Sequence, residues 1–164
     1  MQFIRHEDGS LVLSEIDPAL RSVLDQIPYA ADPLDNAAAR ERLYPEPATG
    51  ADASGIREEW NEYVRPELHA WFHTAVDVVI ADLQKLDEKG ELLISAAHVD
   101  AWLNALNQAR LSLAARHNVT EADMDRQMPY VLKNDRDYAL FQIHIYGLLQ
   151  EYLVRGINEE TREL

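Results

Sequence analysis

The feature that most constrains the fold is a long apolar stripe in the middle of the chain. Large apolar side chains recur there at steps of three and four residues: Trp60, Val64, Leu68, Trp71, Ala75, Val79, Leu83 and Leu86. This spacing places them on one face of an α-helix over residues 56–86, and other elements must cover that face. Pro66 falls inside the run, so the helix either kinks there or restarts with Pro66 in its first turn.

Two further long helices follow in the sequence. Residues 99–117 again carry apolar side chains along one line. Residues 135–157 differ, because their apolar side chains from Leu140 to Val154 occupy nearly the whole circumference of the helix. A helix that is apolar on all sides lies at the centre of a bundle or at an interface.

The N-terminal residues 1–16 predict a β-hairpin. Asp8-Gly9 separates two apolar runs and supplies the positive φ angles that a tight turn requires. Asp17-Pro18 is typical of a helix N-cap followed by a proline in the first turn. The short apolar run Leu92-Leu93-Ile94 is a candidate third strand.

These elements predict one mostly α domain over residues 1–164. Its parts are a β-hairpin at 1–16, an irregular excursion at 30–55 and a helical core at 56–158. The excursion is rich in proline and glycine, and it holds at most one short helix starting near Asp35. The expected architecture is a bundle of three long and one or two short helices with a small N-terminal β-hairpin or three-stranded sheet.

Charge and composition exclude several classes of function. With 29 acidic and 15 basic side chains among 164 residues, the formal net charge is −14. A strong negative field repels phosphate backbones, so we expect no nucleic-acid partner. No apolar run approaches membrane-spanning length, and the N-terminal residues lack a secretion signal, so we expect a cytoplasmic protein. The absence of cysteine removes disulfides, thiol nucleophiles and thiolate metal sites.

The sharpest chemical motif is His69-x3-His73-x3-Asp77. Steps of four place two imidazoles and a carboxylate on one helical face, and these groups are ligands that zinc and iron accept. The same face lies opposite the apolar stripe, where solvated polar residues belong. The motif therefore has two interpretations, a metal or small-molecule site and an ordinary wet surface.

A second motif places charged side chains on apolar helix faces. Arg110 and Asp82 both occupy inward positions on consecutive helices. The structural interpretation is a buried ion pair between them that fixes the register of the two helices. The functional interpretation is an anion-binding Arg110 assisted by Asn107, one turn away.

Two short segments resemble a known family. Residues 101–111 (AWLNALNQARL) and 116–121 (RHNVTE) resemble the A-W-L-x-A-L-N-x-x-R-L and R-x-x-V-T-E stretches of the bacterial, mainly actinobacterial, domain-of-unknown-function family 2017. Residues 148–155 (LLQEYLVR) resemble its tail. In that family, redox-responsive regulation is associated with cysteine-bearing relatives. Because this chain has no cysteine, the resemblance implies only a general regulatory or interaction role.

The sequence therefore predicts a non-enzymatic interaction or regulatory protein of the bacterial cytoplasm. Its expected partner is another protein or a second copy of itself in a homodimer. No phosphate-binding loop, nucleophile elbow or cofactor motif is present. The alternative is a metal- or anion-dependent small-molecule binding protein or enzyme that uses His69, His73 and Asp77, or Arg110 and Asn107.

Overall fold

The computed structural model describes residues 2–47, 50, 54–86, 90–125 and 132–159. Most of this chain is helical, and a small antiparallel sheet lies near its N-terminus. The three longest helices occupy the regions that the hydrophobic periodicity marks in the sequence. The predicted mostly α fold class is confirmed.

The sheet has three strands with β2 at its centre. Strand β1 (Gln2–Arg5) pairs with β2 (Leu11–Ser14), and β2 also pairs with β3 (Leu92–Ile94), both in antiparallel fashion. The hairpin turn depends on Gly9, whose φ of +78° favours glycine. The Asp8 carboxylate closes the turn by accepting hydrogen bonds from the N–H and the hydroxyl of Ser10. The predicted hairpin and the candidate third strand both form.

Within the described part of the chain, one face of the sheet is covered and the other is open. Leu11 and Leu13 of the central strand are buried in the hydrophobic core. On the opposite face Ile4 and Leu93 lie on either side of Val12 in the strand register, and both are exposed. The alternation of side chains along each strand therefore directs one apolar set to the helices and the other to solvent.

Short helices connect the hairpin to the middle of the chain. Helix α1 (Pro18–Asp25) begins as predicted, because the Asp17 carboxylate accepts a hydrogen bond from the Leu20 N–H at 2.8 Å. Helix α2 (Ile27–Ala31) follows after Gln26. Both helices contribute buried side chains to the core.

Helix α3 (Ala37–Leu43) lies inside the region predicted as an irregular excursion. Asn36 caps it, since its side-chain oxygen accepts a hydrogen bond from the Ala39 N–H at 2.9 Å. Ala39 and Leu43 are buried, and the helix packs on α6 (Val99–Arg116). The small Ala39 side chain permits this close approach. This helix lies where the sequence allows one short helix starting near Asp35.

The long helix is continuous through its proline. Helix α4 (Ser54–Glu59), a π-helical turn (Trp60–Val64) and α5 (Arg65–Leu83) follow one another directly. Pro66 has no N–H for the carbonyl four residues earlier, and its ring crowds that carbonyl. The wide π turn lies just before the proline and is closed by a hydrogen bond from the Arg65 N–H to the Trp60 carbonyl. The chain therefore passes Pro66 without ending the helix.

Helix α6 is the centre of the core. It contacts α2, α3, α5 and α8 (Asp135–Glu159), and its Trp102, Leu106 and Leu113 are buried. Between α6 and α8 lies α7 (Glu121–Met124), a short helix closed by a capping box of Thr120 and Asp123. The hydrophobic core is one cluster that extends from β2 to the C-terminal half of α8.

Helix α8 is buried mainly on one side. Its buried apolar side chains form a stripe: Ala139, Ile143, Tyr146, Leu149 and Leu153. Leu148 and Val154 on other sides are exposed, so the described part of the chain does not wrap the helix all round. Near its end Gly156 lies directly on the sheet, where an added Cβ would come within 2.8 Å of Leu11 Cδ2. None of the helices in the described part of the chain combines the length and apolar character of a membrane span.

Candidate functional site

The apolar stripe of the long helix is covered over only half its length. Ala75, Val79 and Leu83 at the C-terminal end are buried in the core. Toward the N-terminal end Ile56, Val64 and Trp71 are 56%, 41% and 53% exposed. We call this part the open stripe: the exposed Ile56, Val64 and Trp71 with the half-buried Trp60 and Leu68. A large exposed apolar surface of this kind marks a binding site more often than an ordinary surface.

Aromatic side chains dominate this surface. Trp71 lies at the end of the open stripe nearest the core, and Tyr63 on the same helical segment is also exposed. Trp71 also lines a groove of about 310 Å³ between α5 and α6, with Ala75, Val78 and Asp100 among its other walls. Tryptophan and tyrosine are the residues that most often carry binding energy in protein interfaces.

Acidic side chains flank the open stripe. Residues 54–71 carry Glu58, Glu59, Glu62 and Glu67, and Asp100 lies at the groove beside Trp71. The two arginines of this segment have local partners. Arg57 lies 3.9 Å from the Glu46 carboxylate, and Arg65 donates a hydrogen bond to Asn61. The surface is therefore apolar along its centre and negative at its edges.

The histidine motif lies on the other side of α5, facing a cleft of about 490 Å³. His69, His73 and Asp77 form one wall of it. The opposite wall comes from the α2–α3 connection and α3, with Asp32, Pro33, Leu34, Arg40 and Tyr44. We call this space the histidine cleft. His73 and Asp77 are exposed and His69 is half-buried, so residues 32–44 border the motif without covering it.

Tyr44 packs directly on His69. The two rings are stacked with centroids 3.8 Å apart and an interplanar angle of 15°. Burial lowers the pKa of His69, and the neighbouring Arg65 and His73 lower it further. Burial likewise raises the pKa of the Tyr44 hydroxyl, and the nearby Asp32 carboxylate raises it further, against an opposing effect of Arg65. Both groups are therefore neutral at pH 7.

The described residues do not assemble a metal site. No three histidine, aspartate or glutamate side chains among them lie close enough together to hold a metal ion. The His69 ring is stacked on Tyr44, and its centroid lies 6.2 Å from that of the His73 ring. Spacing by four residues places the side chains of the motif on one helical face, but it does not bring their ligand atoms together around one point.

The predicted ion pair between Asp82 and Arg110 does not form. Asp82 is buried, with 2% exposure, and it faces the N-terminal end of α6. The Trp102 indole N–H donates to its Oδ2 at 3.1 Å, and Nδ1 of His98 lies 2.8 Å from the same oxygen. Lys85 Nζ donates to Oδ1 at 3.1 Å. Arg110 is eight residues beyond Trp102, about 12 Å along the helix, and is out of reach.

These contacts determine the protonation of Asp82. Burial alone raises the pKa of a carboxyl group because it penalises the charged form. Here the hydrogen bonds from Trp102, His98 and Lys85 outweigh that effect, and they hold the pKa of Asp82 below its ordinary value of 3.8. The sequence pattern places Asp82 correctly on the inward face. It does not indicate its partners, because His98 and Trp102 are 16 and 20 residues away in the chain.

Arg110 has a separate environment between α6 and α8. Its guanidinium donates a hydrogen bond to the Gln150 side chain and lies against Gly147, where an added Cβ would be 3.5 Å from Cζ. Its buried Nε has no hydrogen-bond partner within the described residues. Asn107, the proposed second anion ligand, is exposed on α6. Arg110 therefore tethers two helices.

Comparison with known proteins identifies the family of this chain. The chain matches the family described as Domain of unknown function (DUF2017) over residues 3–157, and it belongs to that family. Neither a curated protein nor a solved structure matches it.

Proposed function

We propose that this protein is a non-enzymatic interaction or regulatory domain of the bacterial cytoplasm that binds another protein through the open stripe. The observation that carries the proposal is the continuation of one apolar helix face beyond the core that covers it. Ile56, Val64 and Trp71 keep the periodicity of the buried residues Ala75, Val79 and Leu83, yet other parts of the described chain leave them exposed. A partner that covers them gains the free energy of removing apolar area from water.

The chemistry of the surface defines the partner. Glu58, Glu59, Glu67 and Asp100 lie on the same segment or at the adjoining groove, so a partner with Lys or Arg beside its apolar anchors is favoured. A second copy of this chain brings the same acidic residues and a net charge of −14 to the contact. Electrostatic repulsion therefore favours a different protein over the homodimer.

The Trp71 groove provides an anchoring position for one side chain of the partner. Its volume of about 310 Å³ accommodates one large apolar side chain, and Trp71 forms one wall of it. A packed aromatic anchor surrounded by weaker contacts is the usual composition of a protein interface. The groove fits a helical or extended segment that crosses the long helix near Trp71.

Site-specific photo-crosslinking tests this proposal. A benzophenone amino acid replaces Trp71 in cells of the native host, and the matched control carries it at Val154, an exposed apolar position on α8. We expect one discrete adduct from position 71 and none of the same mass from position 154. The double substitution Ile56→Ser and Val64→Ser should reduce the yield of the adduct from position 71. Added salt should also reduce that yield.

Two outcomes overturn the proposal. An adduct of twice the mass of the chain identifies a second copy and replaces the heterologous partner with a homodimer. The absence of a discrete adduct at position 71, in cells where the protein is folded and abundant, excludes a protein partner on the open stripe.

A further inference from the structure

The histidine cleft has the size and lining of a small-molecule site. Its volume of about 490 Å³ falls within the range of roughly 300–1,000 Å³ typical of ligand pockets. Apolar side chains line much of it: Ala31, Phe72, Val76 and Ile80. Polar and charged side chains form the other half of the lining and project into it from two sides. The cleft thus combines apolar walls with groups that can orient a ligand.

One wall of the cleft is flat and aromatic. Tyr44 is buried and stacks on His69, and it also contacts Phe72 with ring centroids 5.6 Å apart. Tyr44 follows the last turn of α3, so α3 and α5 hold the stacked rings from two directions. Because Tyr44 and His69 cover one face of each other, a flat ligand meets these rings edge-to-face, an arrangement that aromatic pairs also favour.

The charges in the cleft favour a cation. Arg40 is engaged, since its Nη2 donates to the Leu34 carbonyl at 2.9 Å. Asp32 uses Oδ1 to accept the Leu34 N–H at 2.7 Å, which leaves Oδ2 for a ligand. Asp77 makes no hydrogen bond or ion pair with the other described residues. His69 is neutral because burial lowers its pKa.

The field of the whole protein acts in the same direction. Two carboxylates face one engaged guanidinium in the cleft, and the chain as a whole carries a formal charge of −14. A cleft with apolar walls concentrates such a field and raises the local concentration of cations. An anionic ligand would meet repulsion from both Asp32 and Asp77.

We propose that the histidine cleft binds a small organic cation, a flat aromatic body that carries a protonated amine or amidine. The aromatic body lies along the wall of Tyr44, His69 and Phe72. The cationic group reaches the carboxylates of Asp77 and Asp32 and forms charge-assisted hydrogen bonds with them. This site is separate from the open stripe, which lies on the other side of α5.

Titration with benzamidine, followed by NMR of the backbone amides, tests the assignment. We expect saturable shifts at millimolar concentration confined to residues 31–44 and 69–80. Benzoate, which has the same ring and the opposite charge, should leave these amides unchanged. Asp77→Asn and Asp32→Asn should each weaken benzamidine binding by about tenfold. Asp100→Asn, an exposed acidic position in the other groove, is the matched control and should bind as the original protein does.

Variants of the aromatic wall and of the open stripe complete the test. Tyr44→Leu keeps an apolar side chain but removes the flat surface, so binding should weaken while the helical circular dichroism is retained. Trp71→Ala should bind benzamidine normally, which separates this site from the protein interface. Equal binding of benzoate, shifts spread over the whole acidic surface, or unchanged affinity in Asp77→Asn would each overturn the proposal.

Discussion

The two halves of the long helix have the same hydrophobic periodicity and opposite environments. In the C-terminal half Val79 and Leu83 pack against the core, and the buried Asp82 is satisfied by Trp102, His98 and Lys85. In the N-terminal half Ile56 and Val64 occupy equivalent positions and are exposed. An apolar stripe thus shows which side of a helix is apolar. It does not show over what length of the helix other elements bury that side.

The difference comes from what lies beside each half. Helix α6 contacts α5, and strand β3 contacts the same helix near its C-terminal end. From Ser54 to Thr74 no described residue of this helix is buried. The core therefore covers the C-terminal half of the stripe and leaves the other half exposed.

The largest expected effect comes from truncating a buried residue of the stripe. Leu83→Ala should lower the free energy of unfolding by about 2–5 kcal/mol, since it leaves a cavity in the core. Ile56→Ala, the matched change in the exposed half, should stay within about 0.5 kcal/mol. Urea denaturation followed by circular dichroism measures both. Equal losses in the two variants would mean that the N-terminal half is buried in solution.

A smaller effect is expected at the buried carboxylate. Asp82→Asn should cost about 1.5–3 kcal/mol at pH 7, because it removes charge-assisted hydrogen bonds from three donors. Asp77→Asn on the same helix has no such partners and should be neutral in stability.

The loss at Asp82 should depend on pH in a defined direction. The folded-state pKa lies below the ordinary value of 3.8, so the carboxylate stabilises the fold above that value. As the pH falls below 3.8 toward the folded-state pKa, this contribution disappears. The unfolding free energies of the original protein and of Asp82→Asn should therefore converge. Chemical denaturation across pH 2–7 measures the difference. A constant difference over that range would show that Asp82 titrates normally.

The smallest effect on stability is expected from polar substitutions in the open stripe. Ile56→Ser combined with Val64→Ser should change the unfolding free energy by no more than about 1 kcal/mol, since both side chains are exposed. The same variant should bind less of a hydrophobic dye such as ANS, because the apolar surface is smaller. If dye binding is unchanged while stability falls, the stripe is covered in the isolated protein.

Local sequence signals predicted the elements well. Asp8-Gly9 specifies the hairpin turn, Asp17 caps α1, and steps of three and four locate the long helices, because each of these signals depends on neighbours within one turn. The same steps placed Asp82 on an inward face. Such patterns are decided by residues close together in the chain.

The contacts between elements could not be predicted in the same way. Tyr44 meets His69 from the C-terminal end of the short helix α3, and no local signal orients its side chain toward α5. Asp82 meets Trp102 instead of Arg110 because the offset between α5 and α6 is set by packing along their whole length. Helical spacing gives the direction of a side chain, whereas its partner depends on the position of another helix.

The contact between Gly156 and Leu11 has a consequence for biosynthesis. The first hairpin leaves the ribosome long before α8, and translation at about 5–20 residues per second separates the two by several seconds or more. Until α8 arrives, the inner face of β2 lacks one of its covering elements. Closure of the core thus joins segments about 145 residues apart, a non-local step of the kind that slows folding. The apolar inner face of the hairpin therefore stays partly exposed on the nascent chain through most of its synthesis.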